Sequence, residues 1–292
     1  MSNPRLSGRE ETKEFYDNIG WRKRDSETFD RHLFGVKEDG PIRRELSAVH
    51  VQRIRAALKR AGDSIRLLEC GCGGNPRKDI LDLCSEYYGV DFSETGLAEA
   101  REQLKDAPIP CQLRLADACC LPFADNEFGA VYSAHMIYHI PHLADQKLAL
   151  REMLRVIRPN GVLVLITANA RPLLFPLRLA ARLLSDIPWI GRTARSIGRK
   201  SPLPYRPATL SWLQRHLAPL GSFEVICHGI PSTHFNQHVT ECRGIGRQFW
   251  RSIRWLDVSF PRASAYLGNY LQITVVKRDP APPPRLPAAP AR

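Results

Sequence analysis

No stretch of this chain is apolar for the ~18 consecutive residues that a membrane-spanning helix requires. Residues 1–10 lack the apolar centre of a secretory leader. A cytoplasmic setting is therefore expected, with a peripheral place at the inner face of a membrane as its variant. Cysteine occurs eight times but never as the paired CxxC spacing of a structural zinc site. Cys70, Cys72, Cys84, Cys111, Cys119, Cys120, Cys227 and Cys242 read as reduced, mostly buried thiols. Acidic side chains are outnumbered, 30 against 42 basic ones, for a net charge of +12. That excess suits an anionic membrane surface, an anionic substrate or nucleic acid, and does not choose among them.

What is present is a hydrophobic fraction of 43% over 292 residues, enough for one large domain with an insert. Residues 1–62 read as a helical N-terminal extension. Within it Phe15, Tyr16, Ile19 and Trp21 form an aromatic-apolar cluster, and Leu46, Val49, Ile54 and Leu58 fall near helical spacing. From Ile65 to Thr167 short apolar runs alternate with helical patterns. Strands are expected at 66–70, 87–91, 112–116, 129–133 and 162–167, with helices at 76–85, 93–105 and 142–156. Residues 158–161 read as a turn. This rhythm implies an α/β fold, a Rossmann-like, doubly wound, mostly parallel sheet of seven strands, the last one antiparallel. The main domain then spans 63–278. Residues 170–215 interrupt the rhythm as an inserted helical lid. Its part 170–206 sets eight basic residues against Asp186 alone, interleaved with large apolar ones, and could touch a membrane surface. Residues 279–292, rich in proline and alanine, read as a disordered tail.

The most informative segment is Leu67-Leu68-Glu69-Cys70-Gly71-Cys72-Gly73-Gly74-Asn75-Pro76, a buried strand running into a glycine turn. Gly71 and Gly73 permit close backbone approach to a ligand. Asn75 tolerates a left-handed backbone or caps a helix, and Pro76 suits a first helical position. Glu69, Asp91 and Asp117 sit at the carboxyl ends of three successive strands, which in an open parallel sheet line one crevice. Asp91 is placed to take ribose hydroxyls. Pro76 removes a backbone donor where a dinucleotide turn has its third glycine, and Glu69 would repel phosphate. The site suits a ligand with a ribose, a positive charge and no phosphate, properties that S-adenosylmethionine has.

The segments Leu68–Gly74, Gly89-Val90-Asp91-Phe92-Ser93, Asp117-Ala118-Cys119-Cys120-Leu121-Pro122-Phe123 and Arg155–Gly161 resemble class I S-adenosylmethionine-dependent methyltransferases. The nearest subgroup is the small-molecule type that includes the ubiquinone and menaquinone C-methyltransferases. The resemblance covers about residues 65–168. It implies Glu69 near the methionine amino group, Gly71 and Gly73 under the cofactor, Asp91 on the ribose and Phe92 beside the adenine. It also implies Asp117 on the adenine amino group, Ala118 offering its amide, and Ser133 to His135 beneath the methionine end. The third glycine of the family's turn is Asn75 here, which can adopt the same backbone region.

Methyl transfer from a sulfonium needs positioning, exclusion of water and, for some acceptors, a general base. His139 is the candidate base, with Tyr138 and His135 behind it, because they follow the fourth strand where an acceptor enters. His135 and His139 also have a spacing that holds metal on a helix, but no third ligand is evident, so no metal is expected. The expected activity is O- or C-methylation of a small, apolar organic acceptor. The alternatives are an RNA methyltransferase, or a non-catalytic binding protein that kept the fold. Against nucleic acid, the run Tyr132-Ser133-Ala134-His135 is not the Asn/Asp-Pro-Pro-Tyr/Phe motif of base amino methyltransferases, and no Pro-Cys follows it. The oligomeric state is left open.

Overall fold

The computed structural model describes residues 8–24, 27–28, 41–172, 203–228 and 245–279. The core is a seven-stranded sheet. Its strands are β1 (Ile65–Cys70), β2 (Cys84–Asp91), β3 (Cys111–Leu115), β4 (Phe128–Ala134), β5 (Ile157–Ala168), β6 (Gly221–Cys227) and β7 (Tyr270–Lys277). Their order is β3-β2-β1-β4-β5-β7-β6. The first five are mutually parallel, and β7 runs antiparallel between β5 and β6. The direction of winding reverses between β1 and β4, which is where an open sheet leaves a crevice beyond its strand ends.

The described α-helices are α1 (Gly8–Phe15), α2 (Pro41–Leu58), α3 (Glu94–Leu104), α4 (Leu143–Val156), α5 (Leu210–Leu217), α6 (Ile245–Ser259) and α7 (Pro261–Ala265), and a separate short antiparallel pair joins Lys23–Arg24 to Glu27–Thr28. The central strands bury both faces, so they are almost continuously apolar, and alternate residues serve opposite layers. Leu163 and Leu165 of β5 pack with Leu150, Met153 and Leu154 of α4 and with Leu213 and Leu217 of α5. Val162, Val164 and Ile166 pack on the other side, in the layer of Ile54 and Leu58 from α2. Ser93 caps α3, its Oγ accepting from the Gly96 N–H at 3.0 Å.

Two local expectations change. The helix read at 76–85 is only a 3₁₀ turn over Lys78–Leu83, and β2 already starts at Cys84. Six residues leave no room for an α-helical crossover. The N-terminal α2 supplies the packing instead: Ile54 and Leu58 join Ile80 and Leu81 in one buried cluster, and Arg55 clasps Asp82 with bonds of 2.6 Å. The turn at 158–161 becomes an irregularity inside β5, where pairing jumps from Phe128↔Ile157 to Ala130↔Val162. Asn160 there takes φ +60°. Most of the basic segment 170–206, together with the tail beyond residue 279, lies outside the described residues.

Arg53 of α2 ties the layers together. Its guanidinium donates to the Cys227 carbonyl at 2.9 Å, to the Asp257 carboxylate at 3.1 Å and to the Asp257 carbonyl at 3.0 Å. Removing one partner of a buried ion pair strands the other, so Arg53→Met should cost about 3 kcal/mol of stability in urea unfolding. A loss under about 1 kcal/mol would show that the pair contributes little.

Candidate active site

The glycine turn wraps around the end of β2. Gly71 and Cys72 donate to the Val90 carbonyl at 2.8 and 3.1 Å. Asp91 then binds the turn from below: Oδ2 accepts from the Gly73 N–H at 2.8 Å and Oδ1 from the Ser93 N–H at 2.9 Å. Gly71 and Gly73 have φ of +80° and +49°, a region costly for any residue with a Cβ. A Cβ on Gly71 would lie 2.6 Å from Met136 Cγ, so the turn after β1 touches the chain leaving β4 across the crevice. Asn75 departs from expectation. It is not among the positive-φ residues, and its N–H closes a turn onto Cys72 at 3.3 Å. The left-handed backbone appears instead at His135, with φ +59°.

Glu69 is fully buried, and its Oε2 accepts from the Arg77 backbone N–H at 2.9 Å and from the Tyr87 hydroxyl at 2.8 Å. Burial pushes its carboxyl up to about 7, against those two bonds. Burial likewise raises Asp91 to about 6. Asp117 sits one strand further along, half exposed and ion-paired with Arg9 of α1. Its Oδ1 accepts from the Cys119 N–H at 2.9 Å, and Ala118 between them is packed on the core. Ser133 is buried with an Oγ that has no hydrogen-bond partner.

His135, Tyr138 and His139 come together in one cluster. His135 Nδ1 lies 3.1 Å from the Tyr138 hydroxyl, and the Tyr138 and His139 rings are 4.5 Å apart. His139 Nδ1 is 2.9 Å from the Pro204 carbonyl. A carbonyl only accepts, so Nδ1 carries the proton and the lone pair is on Nε2. Burial lowers the value of His139, and desolvation of the ring together with the neighbouring His139 also lowers that of the more exposed His135. The two histidines do not share a helix. His135 lies in the bend just after β4 and His139 in a 3₁₀ turn.

Sequence reasoning missed the N-terminal contribution. A single wide turn over Tyr16–Gly20 follows α1 and crosses the crevice. Asp17 accepts from Ser93 Oγ at 2.7 Å, and Thr95 Oγ1 donates to the Asp17 carbonyl at 3.0 Å. Tyr16 stacks on Trp21 at 5.7 Å and meets Phe92 and His139 edge-on at 6.2 and 6.3 Å. The Trp21 indole lies against Gly73, Gly74 and Gly96, filling the space where a side chain on any of them would go. The aromatic cluster in the sequence was the available signal. Nothing local says which surface it covers.

A family profile described as a methyltransferase domain matches residues 68–165. Residues 68–165 are thus similar to methyltransferase domains. The 2-methyl-6-phytyl-1,4-hydroquinone methyltransferase of Synechocystis is 29% identical over 136 residues, which is 44% of this chain and 40% of that protein. A demethylmenaquinone methyltransferase of Desulfitobacterium hafniense is 40% identical over 78 residues, 26% of this chain and 30% of its own length. The chain thus spans less than half the length of these relatives. The N-methyltransferase NodS of Bradyrhizobium japonicum, solved with S-adenosyl-L-homocysteine, superposes with a TM-score of 0.55 at 14% identity, covering 92% of this chain and all of that one. That likeness shows a shared α/β fold over most of the chain.

The raised carboxyl of Glu69 has a stability consequence. Its folded value of about 7 lies above the ordinary 4.5. Its contribution is therefore fully present below pH 4.5 and is lost as pH rises through 7. Glu69→Gln should match the wild type in urea at pH 5 and exceed it at pH 8, by as much as ~3 kcal/mol. Equal differences at both pH values would mean that the carboxyl titrates normally.

Proposed function

We propose that this chain transfers a methyl group from S-adenosylmethionine to a small, apolar organic acceptor. The observation that carries the reading is the turn Gly71–Asn75 folded onto the Asp91 carboxylate at the switch point of a methyltransferase domain. The residues present fit the cofactor. Two left-handed glycines shape the turn, buried carboxylates complement a sulfonium and an ammonium, Ser133 Oγ has a bond still to make, and the Trp21 indole over Gly73 would yield its place to the cofactor. Asp91 would hold the ribose, since each oxygen keeps a lone pair beyond its backbone bond. Glu69 would hold the amino group through Oε1. Phe92 and Ala118 would flank the adenine, with Asp117 at its amino group once Arg9 yields or shares that carboxylate.

The cofactor supplies a methyl group already activated on sulfur. The protein's work is then to align the acceptor and exclude water. Tyr16 and Trp21 close the crevice from the N-terminal side. His139 faces the acceptor with its lone pair on Nε2, the tautomer a base needs, and burial keeps it neutral. Apolar quinol-type acceptors agree with what the relatives' names state. Nothing in the site favours the RNA alternative.

Calorimetric titration with S-adenosylmethionine should show one site, and Asp91→Ala should weaken it at least about tenfold. A wild-type chain that binds nothing would end the proposal. His139→Ala should lower labelled-methyl transfer into a host small-molecule extract by about 100-fold or more while cofactor affinity stays within about twofold. Unchanged turnover would leave His139 a packing residue, and label found in a parallel RNA fraction would move the acceptor to nucleic acid.

A further inference from the structure

Beyond His135 stands a group of imidazoles that no step above uses. His50, from α2, stacks on His228, the residue after β6, with ring centroids 3.9 Å apart and planes 24° from parallel. His135 lies 6.5 Å from His228. Tyr270 packs edge-on against His135 at 4.8 Å, and its carbonyl accepts from the His228 backbone N–H at 2.8 Å. His228 is buried and His50 half-buried, and the inward-facing His50 Nε2 and His228 Nδ1 have no hydrogen-bond partner. Orphaned buried nitrogens are rare and destabilising, and two on adjacent rings call for a reason.

Their position supplies one. An unbroken run of rings leads from Phe92 beside the cofactor turn through Tyr16, His139, Tyr138 and His135 to His228 and His50. A flat apolar ring entering along this wall would reach the methyl-transfer end at His135 with its polar group among the orphaned nitrogens. We propose that His50 and His228 form the anchor for the acceptor's head group, an uncharged hydroxyl or carbonyl on an aromatic ring. This rests on the methyltransferase reading and adds to it the part of the molecule that selects the acceptor.

The electrostatics agree. Burial holds His50 down to about 3 and His228 well below its ordinary value, so both are neutral at physiological pH. The cations that bear on the pair each have a carboxylate partner, Arg53 with Asp257, Arg77 with Asp79 and Arg254 with Glu45, the last through Nη2 alone while its Nε and Nη1 have no hydrogen-bond partner. A hydroxyl, which both donates and accepts, suits either tautomer of two neutral imidazoles. A carboxylate would lose its hydration and gain no unpaired charge. Among the described residues no three His, Cys, Asp or Glu side chains are arranged to hold a metal ion.

The test is calorimetry on the full chain saturated with S-adenosyl-L-homocysteine, using 2-naphthol and its anionic counterpart 2-naphthoate as probes. The wild type should bind 2-naphthol at least about tenfold more tightly than 2-naphthoate. His228→Phe and His50→Phe keep a ring but no hydrogen bond. Each should lose about tenfold in 2-naphthol affinity, leave S-adenosyl-L-homocysteine affinity unchanged and raise the thermal midpoint, because a buried orphan is gone. His228→Asn and His50→Gln, which return a donor near the same atoms, should recover most of the binding. The inference is overturned if 2-naphthol does not bind, if naphthoate binds as well, or if the Phe variants bind 2-naphthol like the wild type. Failure of S-adenosyl-L-homocysteine itself to bind would instead bring down the methyltransferase reading and this inference with it.

Discussion

One buried carboxylate organises the working end of this protein. Asp91 receives the N–H of Gly73 from the turn after β1 and the N–H of Ser93 at the head of α3. Without those bonds it would be an unpaired charge under the sheet, and the turn would have no floor. Because both bonds come from backbone, the position of the turn depends little on which side chains surround it. Gly71 can then approach Met136, and the ends of β1 and β4 stand at a fixed distance across the crevice.

The N-terminal segment is built onto that same point. Ser93 donates to Asp17 while it caps α3, so one hydroxyl links the helix start to the segment that crosses the site. Trp21 fills the space over three glycines, and Tyr16 bridges Phe92 and His139. Arg9 neutralises Asp117 one strand further along. The helix α2 has a comparable double role. It replaces the missing crossover helix on one face of the sheet, and it carries His50 and Arg53 to the end of β6.

Much of the fold was legible because its signals are local. Buried parallel strands are short apolar runs, a capping serine precedes α3, and carboxylates recur at strand ends. The failures have physical causes as well. A 3₁₀ turn and an α-helix share the same apolar spacing over six residues, so 78–83 could not be told apart before β2 claimed Cys84. Asn75 does not take the left-handed backbone, whereas His135 does, at a bend where its N–H meets the Ile166 carbonyl of β5, a long-range contact that residue type does not signal.

For the site, the chain alone determined the carboxylates, the glycine turn and the placing of His139 after the fourth strand, since each lies within a few residues of the strand that presents it. Tertiary structure alone decided that Trp21 covers that turn, that Tyr16 meets Phe92 and His139, that Arg9 pairs with Asp117 and that His50 meets His228. Those partners are separated by tens to hundreds of residues, and which of them touch is set by how apolar faces pack, a choice that no local pattern encodes.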